Sequence, residues 1–151
     1  MIYISHRGNL NGPDPKNENT LKSIEECINK GFQVEVDVWF ENNYFYLGHD
    51  SPNIKLNSEL FKNDNIWFHL KNTNAMQEIN KYSPKNFFWH ENDICTLTSS
   101  GKIWLFPKNY INSSKAIFVL PELSKNKMEF NKYECFGICT DFVNFYYNNL
   151  N

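Results

Sequence analysis

The chain has no cluster of Lys and Arg, and its formal net charge is only -2. Nucleic acid and an anionic membrane surface both call for a basic footprint, so neither is expected as the main partner. It also lacks a C-x-x-C pair. Cys27, Cys95, Cys135 and Cys139 form no redox motif, and nothing near Cys135-x-x-x-Cys139 completes a zinc-type ligand set. No apolar run approaches the roughly 20 residues of a membrane helix. Met1-Ile2-Tyr3-Ile4-Ser5 runs directly into the first motif, with no room for a signal peptide. Internal repeats and low-complexity linkers are missing too. The expectation is a soluble, cytoplasmic chain with reduced thiols, no stable membrane association and a small ligand.

What is present suffices for one domain. A length of 151 residues with 41% apolar content fits a single unit over residues 1–151 with its own core. Met1 to Ser5 reads as a short buried strand, and 9–17 as a loop rich in Asn, Gly and Pro. Thr20 can cap a helix in which Leu21, Ile24, Cys27 and Ile28 recur at helical spacing before Lys30-Gly31 ends it. Phe32 to Phe40 alternates with period two. Val34, Val36 and Val38 therefore share one face, and Glu35 and Asp37 point together to the other. Glu41-Asn42-Asn43 is a turn signal that returns the chain along Tyr44 to Leu47, toward Gly48-His49-Asp50.

Later strands are expected at Asn65–Leu70, Asn86–Trp89, Lys102–Phe106, Ala116–Leu120 and Gly137–Phe142, with one further helix at Asn74–Lys81. A strand, helix, strand opening followed by repeated strands predicts an α/β protein, a compact TIM-like (β/α) barrel. A full barrel takes roughly 200 to 250 residues, so several outer helices should be shortened or missing.

Two carboxylates at i and i+2 on a Val-rich strand repel each other unless positive charge lies between them. A divalent cation supplies it; a solvated sheet edge is the alternative. His6 and His49 both follow apolar strands, beside Arg7 and Asp50. Two imidazoles can act as acid and base in phosphodiester cleavage near neutral pH, and the Arg7 fork suits phosphate oxygens. His90 and Glu122 also follow strands and read as structural loop residues. Trp39, Trp67, Trp89 and Trp104 read as sheet packers, one of them available to wall a pocket.

The order His6-Arg7-Gly8, Glu18-Asn19-Thr20, Glu35-x-Asp37, then a hairpin to His49-Asp50 resembles the glycerophosphodiester phosphodiesterase family over Ile4 to Asp50. Gly137 to Phe142 is similar to that family's last barrel strand. The resemblance implies a metal-dependent hydrolase of a glycerophosphodiester-like small substrate. His6 and His49 would be its acid and base, Arg7 its phosphate ligand, and Glu35 and Asp37, with Glu18 beside them, would hold Mg²⁺ or Ca²⁺.

The chain departs from the family at Ile66-Trp67-Phe68-His69-Leu70-Lys71. His69 stands where the family has a third carboxylate ligand, while Lys71 is kept for catalysis. Imidazole favours Mn²⁺ or Zn²⁺. Either the metal differs, or His69 binds substrate and Glu18, Glu122 or Asp141 completes the set. Only 51–64 follow the His-Asp motif before the next strand, so the site should be open, with a substrate that is small or on a flexible chain. The alternatives are a phospholipase D-like lyase that forms a cyclic phosphate and a non-catalytic phosphate-binding module.

Overall fold

The computed structural model describes residues 1–150. One sheet contains ten strands: β1 (Ile2–His6), β2 (Gln33–Glu41), β3 (Tyr44–Leu47), β4 (Ile54–Lys55), β5 (Ile66–Leu70), β6 (Asn86–Trp89), β7 (Cys95–Leu97), β8 (Ile103–Leu105), β9 (Ala116–Val119) and β10 (Gly137–Thr140). Three α-helices accompany it: α1 (Leu21–Asn29), α2 (Thr73–Ile79) and α3 (Val143–Leu150).

Seven strands run parallel in the order β6-β5-β2-β1-β10-β9-β8. β7 joins β8 antiparallel, and the β3–β4 hairpin extends from β2. Val38 pairs with Leu70 of β5 and also with Leu47 of β3. The two partners must take opposite edges of β2, so β3 lies on the edge that β1 occupies earlier along the strand.

The period-two alternation divides the sheet into two faces. Val34, Val36, Val38, Ile66, Phe68 and Ile138 bury against the helices in the larger core. Ile4, Trp67, Phe88, Trp104, Ile117 and Cys139 form a second cluster on the concave side. Phe88 stacks on Trp104 with ring centroids 4.3 Å apart, which ties β6 to β8 across the curl. No helix among the described residues is long and apolar enough to cross a membrane.

The expected compact TIM-like barrel is overturned. The sheet is a curled half-barrel, mostly strand, without alternating β/α units. Chain length is the physical reason. A parallel crossover takes a dozen or more residues when it carries a helix, and 106–115 between β8 and β9 hold only turns. The longer link from β9 to β10 contains two short 3₁₀ segments, Pro121–Leu123 and Glu129–Lys132. A helix forms only after β1, β5 and β10. The last of these, α3, has no counterpart among the sequence expectations, because its run of aromatics and Asn has poor helix propensity. Burial of Val143 and Tyr146 and the edge contact of Tyr147 on Tyr3 hold it in place.

Capping explains the starts of the first two helices. Thr20 accepts from the Ser23 backbone N–H at 3.1 Å, while Ser23 Oγ accepts from the Thr20 N–H at 3.3 Å. Asn72 has two tasks. Its side-chain oxygen caps Ala75 at 2.9 Å, and its amide spans the backbone N–H and C=O of Phe40 at 3.2 and 3.1 Å. Asn72→Ala removes the cap and unpairs both Phe40 groups together. We expect a loss of about 2 kcal/mol in urea unfolding. A loss below about 0.5 kcal/mol would mean that water replaces these bonds freely.

Candidate active site

The C-terminal ends of four parallel strands supply the site. β1 delivers His6 and Arg7, β2 delivers Glu35 and Asp37, β5 delivers His69 and Lys71, and β10 runs into Asp141. Register decides which side chains meet. His6 lies opposite Glu35, Asp37 lies opposite His69, and Ser5 lies opposite Thr140. The ends of parallel strands are where open α/β sheets collect ligands.

Glu35 and Asp37 are 2% and 1% exposed, so two carboxylates are buried side by side. Burial and the neighbouring Asp37 push the Glu35 carboxyl up, against the pull of His6, His69 and Arg7. Burial would also raise Asp37. The hydrogen bond and charge of His69, with Lys71 and Arg7, instead hold it well below the usual carboxylate range. The contacts are His69 Nδ1 to Asp37 Oδ1 at 3.0 Å, Lys71 Nζ to the same oxygen at 3.5 Å, and Arg7 Nε to Asp37 Oδ2 at 3.2 Å. Asn19 completes the cage. It donates to Asp37 Oδ2 at 3.0 Å and accepts from the Asp37 N–H at 2.9 Å.

Glu35, Asp37 and His69 each offer one ligand atom, and all three atoms lie within 4.8 Å of one another. The His69 ring fits a metal. Its Nε2 lies 2.8 Å from the carbonyl oxygen of His90, and a carbonyl only accepts, so Nε2 carries the proton. In a neutral ring Nδ1 then turns its lone pair toward Asp37 and toward Glu35 Oε1 at 3.7 Å. Three electron-rich atoms converging on one point suit a cation, and a backbone carbonyl on the far ring nitrogen is the usual support for a metal-ligating histidine. Without a cation the same geometry requires an imidazolium.

Glu18 lies outside this group. It accepts from Arg7 Nη1 at 3.3 Å and from Asn9 at 2.9 Å. The Arg7 guanidinium is therefore held by Glu18 and Asp37 while it lines the cavity. Arg7 also has φ +54, a left-handed conformation that costs energy in a long side chain. Its N–H is fixed by Glu35 at 3.2 Å and its carbonyl by the Asn19 N–H at 2.9 Å.

His6 is braced from behind. Its Nδ1 donates to Asp141 Oδ1 at 2.7 Å, and Nε2 sits 3.9 Å from Glu35 Oε2. Burial would lower the imidazole, but Asp141 and Glu35 raise it above its ordinary value. Asp141 also accepts from Asn9 at 2.8 Å, and Glu122 fixes the Asp141 N–H at 2.9 Å. Burial would raise the Asp141 carboxyl; His6 holds it below its ordinary value. Glu122 thus bonds to Asp141 and Thr140, apart from the Glu35–Asp37–His69 group.

His49 Nδ1 lies 2.7 Å from Asp50 Oδ1, and the side chain is 40% exposed. Gly48 before it has φ +146, and a Cβ there would overlap the Ser51 carbonyl oxygen, so the turn into His49 requires glycine. All four histidines line a single cavity of about 280 Å³. His90, read from sequence as a loop residue, is among them. Both of its ring nitrogens are buried without a hydrogen bond, and burial and the nearby His69 lower its basicity.

Asn9, Asn19 and the bracing role of Asp141 escaped sequence reading. Asn19 stood inside a recognised motif and Asp141 inside an expected strand, Gly137–Phe142. Only their pairing across the sheet reveals what they do.

Asp141 provides a test that needs no ligand. Its folded carboxyl titrates below the ordinary value of about 3.9, so its ion pair with His6 stabilises the fold above that pH. The stabilisation is lost as pH falls through the lower folded value. We expect Asp141→Asn to cost about 1–3 kcal/mol at pH 6, with the gap to the parent protein narrowing below about pH 4. A gap that stayed constant down to acid unfolding would contradict the ion pair. No family model, curated protein or solved structure matches the chain.

Proposed function

We propose that the chain is a metal-assisted phosphodiesterase that hydrolyses a small diester of the glycerophosphodiester type. The observation that carries this reading is the convergence of Glu35, Asp37 and the Nδ1 of a carbonyl-anchored His69 in one cavity with His6 and His49. A divalent cation bound by these three side chains would polarise a phosphoryl oxygen and neutralise charge that builds up in the transition state. The nitrogen and two carboxylates favour Mn²⁺ or Zn²⁺ over Mg²⁺ or Ca²⁺.

The remaining groups divide the work by their geometry. His6 and His49 each have Nδ1 tied to a carboxylate, so each offers Nε2 to the substrate. One takes a proton from the attacking hydroxyl or water and the other gives one to the leaving oxygen. Lys71 and Arg7 line the same cavity and add positive charge beside the phosphate position. His6, fixed by Asp141, suits a stage at which a stable proton matters, and the exposed His49 can exchange its proton with water.

Turnover of bis(p-nitrophenyl) phosphate with Mn²⁺, Zn²⁺, Mg²⁺ or Ca²⁺ tests the reading. We expect His49→Ala to lower kcat by about 10²- to 10⁴-fold with an unchanged circular dichroism spectrum, since the side chain is largely outside the core. Full activity in that variant would remove His49 from the chemistry. Mn²⁺ should also raise the melting temperature of the parent protein, by linkage of binding to folding. It should fail to do so in Glu35→Gln, and an equal rise in both would place the ion elsewhere.

One observation favours a second reading, a non-catalytic anion-binding module. Arg7, Lys71 and His69 already neutralise Asp37 without a metal. Phosphate binding with no turnover under any of the four ions would select it.

A further inference from the structure

The catalytic groups occupy only part of the cavity. Its other wall is apolar: Trp89, Trp104, Phe106, Pro107, Val119 and Leu120. These residues come from the C-terminal ends of β6, β8 and β9, beside the strands that carry the charged groups. The two walls meet without a break. His69 stacks on Phe88 with centroids 4.9 Å apart, and Phe88 stacks on Trp104.

Leu120 packs on the concave-side cluster and also lines the cavity. Leu120 has φ +48 and ψ +56, a left-handed backbone that a leucine adopts only under strain. Its N–H donates to Cys139 O at 2.7 Å, and its carbonyl accepts from Leu123 at 3.0 Å. The backbone is thus locked, and the leucine side chain faces the cavity, at a position where glycine would be easier. Phe106 is 38% exposed at the mouth, with its ring edge on His90 at 5.6 Å. Its N–H bonds to the carbonyl of Ile94, which is itself 69% exposed, so the apolar surface continues outward from the cavity.

None of these six side chains accepts a hydrogen bond, and only the indole N–H groups of Trp89 and Trp104 donate one, so the wall gives the hydroxyl protons of a polyol no partner. We propose that this wall seats an apolar alcohol, so that one of the two groups esterified to the substrate phosphate is an alkyl chain or an aromatic ring. The assignment rests on the phosphodiesterase reading for the position of the phosphate. It makes Phe106 and Leu120 specificity residues, and it explains a cavity near the lower end of the roughly 300 to 1,000 Å³ common for small ligands: enough for a phosphate and a short apolar group, with the remainder of a longer chain passing over Phe106 and Ile94.

Binding, independent of turnover, tests the proposal. The probes are O-alkyl methylphosphonates, which carry the single charge of a phosphodiester and resist cleavage. The ester group is methyl, propyl, hexyl, phenyl or 2,3-dihydroxypropyl, and binding is followed by tryptophan fluorescence and calorimetry with and without Mn²⁺. We expect affinity to rise by up to about fourfold per methylene, with hexyl or phenyl at least about tenfold tighter than methyl and propyl tighter than dihydroxypropyl. Whether phenyl or hexyl binds better separates an aromatic occupant from an alkyl one. Leu120→Gly relieves the backbone strain and so should fold, and Phe106→Ala alters a surface side chain. In both, the hexyl-to-methyl ratio should fall by about threefold or more.

A flat series, or dihydroxypropyl binding as tightly as propyl, would overturn the proposal, and so would a ratio unchanged in both variants. The catalytic reading fails separately. A steep series in a protein that cleaves nothing leaves the apolar seat intact, and turnover with a flat series leaves only the enzyme.

Discussion

Two like charges buried two residues apart on β2 are the constraint around which the molecule is organised. Glu35 and Asp37 are almost fully buried, and each makes the other harder to ionise. The solution is asymmetric: cationic neighbours hold Asp37 ionised, while Glu35 retains its proton more readily. Much of the local structure serves that solution. Arg7, the only arginine in the chain, accepts a strained backbone to reach Asp37, and Asn19 takes a left-handed turn to hold both ends of the same residue. Lys71 and His69 approach from β5. Replacing the pair with apolar residues would leave Lys71 without its carboxylate partner and Arg7 with Glu18 alone.

The two faces of the curled sheet have different tasks. The convex side carries most of the hydrophobic core and all three helices. The concave side is filled by a smaller cluster of large side chains, and that cluster supports the site from beneath. Trp67 shows the division within one strand. Its neighbours Ile66 and Phe68 bury outward, while its indole turns inward and donates to Gln33 at 2.7 Å. Loss of outer helices therefore affects the site little, because the side chains that set its floor point the other way.

The first third of the chain was readable because its signals are local. The alternation of Val34, Val36 and Val38 fixes the direction of Glu35 and Asp37, Asn42-Asn43 forces the hairpin, and Thr20 starts the helix. His69 was recognisable by its place before Leu70-Lys71. The closed barrel was not there to be found: short strands spaced through 86–140 look the same whether helices or turns connect them, and only the length of each connection decides. Asp141 behind His6, and the carbonyl of His90 behind His69, depend on register between strands more than a hundred and about twenty residues apart in sequence. Spacing along one chain carries no information about such pairs. The apolar wall is hidden for the same reason, since three separate strand ends contribute to it.

The hairpin has a mechanical consequence. β1 and β3 share one edge of β2, so His6 and the turn into His49 are both hydrogen-bonded to the same continuous backbone, a few residues apart. If β2 slides or tilts in thermal motion, both imidazoles move with it, and so does the carboxylate pair between them. The separation of the two imidazoles is thus gauged by covalent geometry and ladder hydrogen bonds, and a sheet stripped of most of its outer supports can still keep that distance constant.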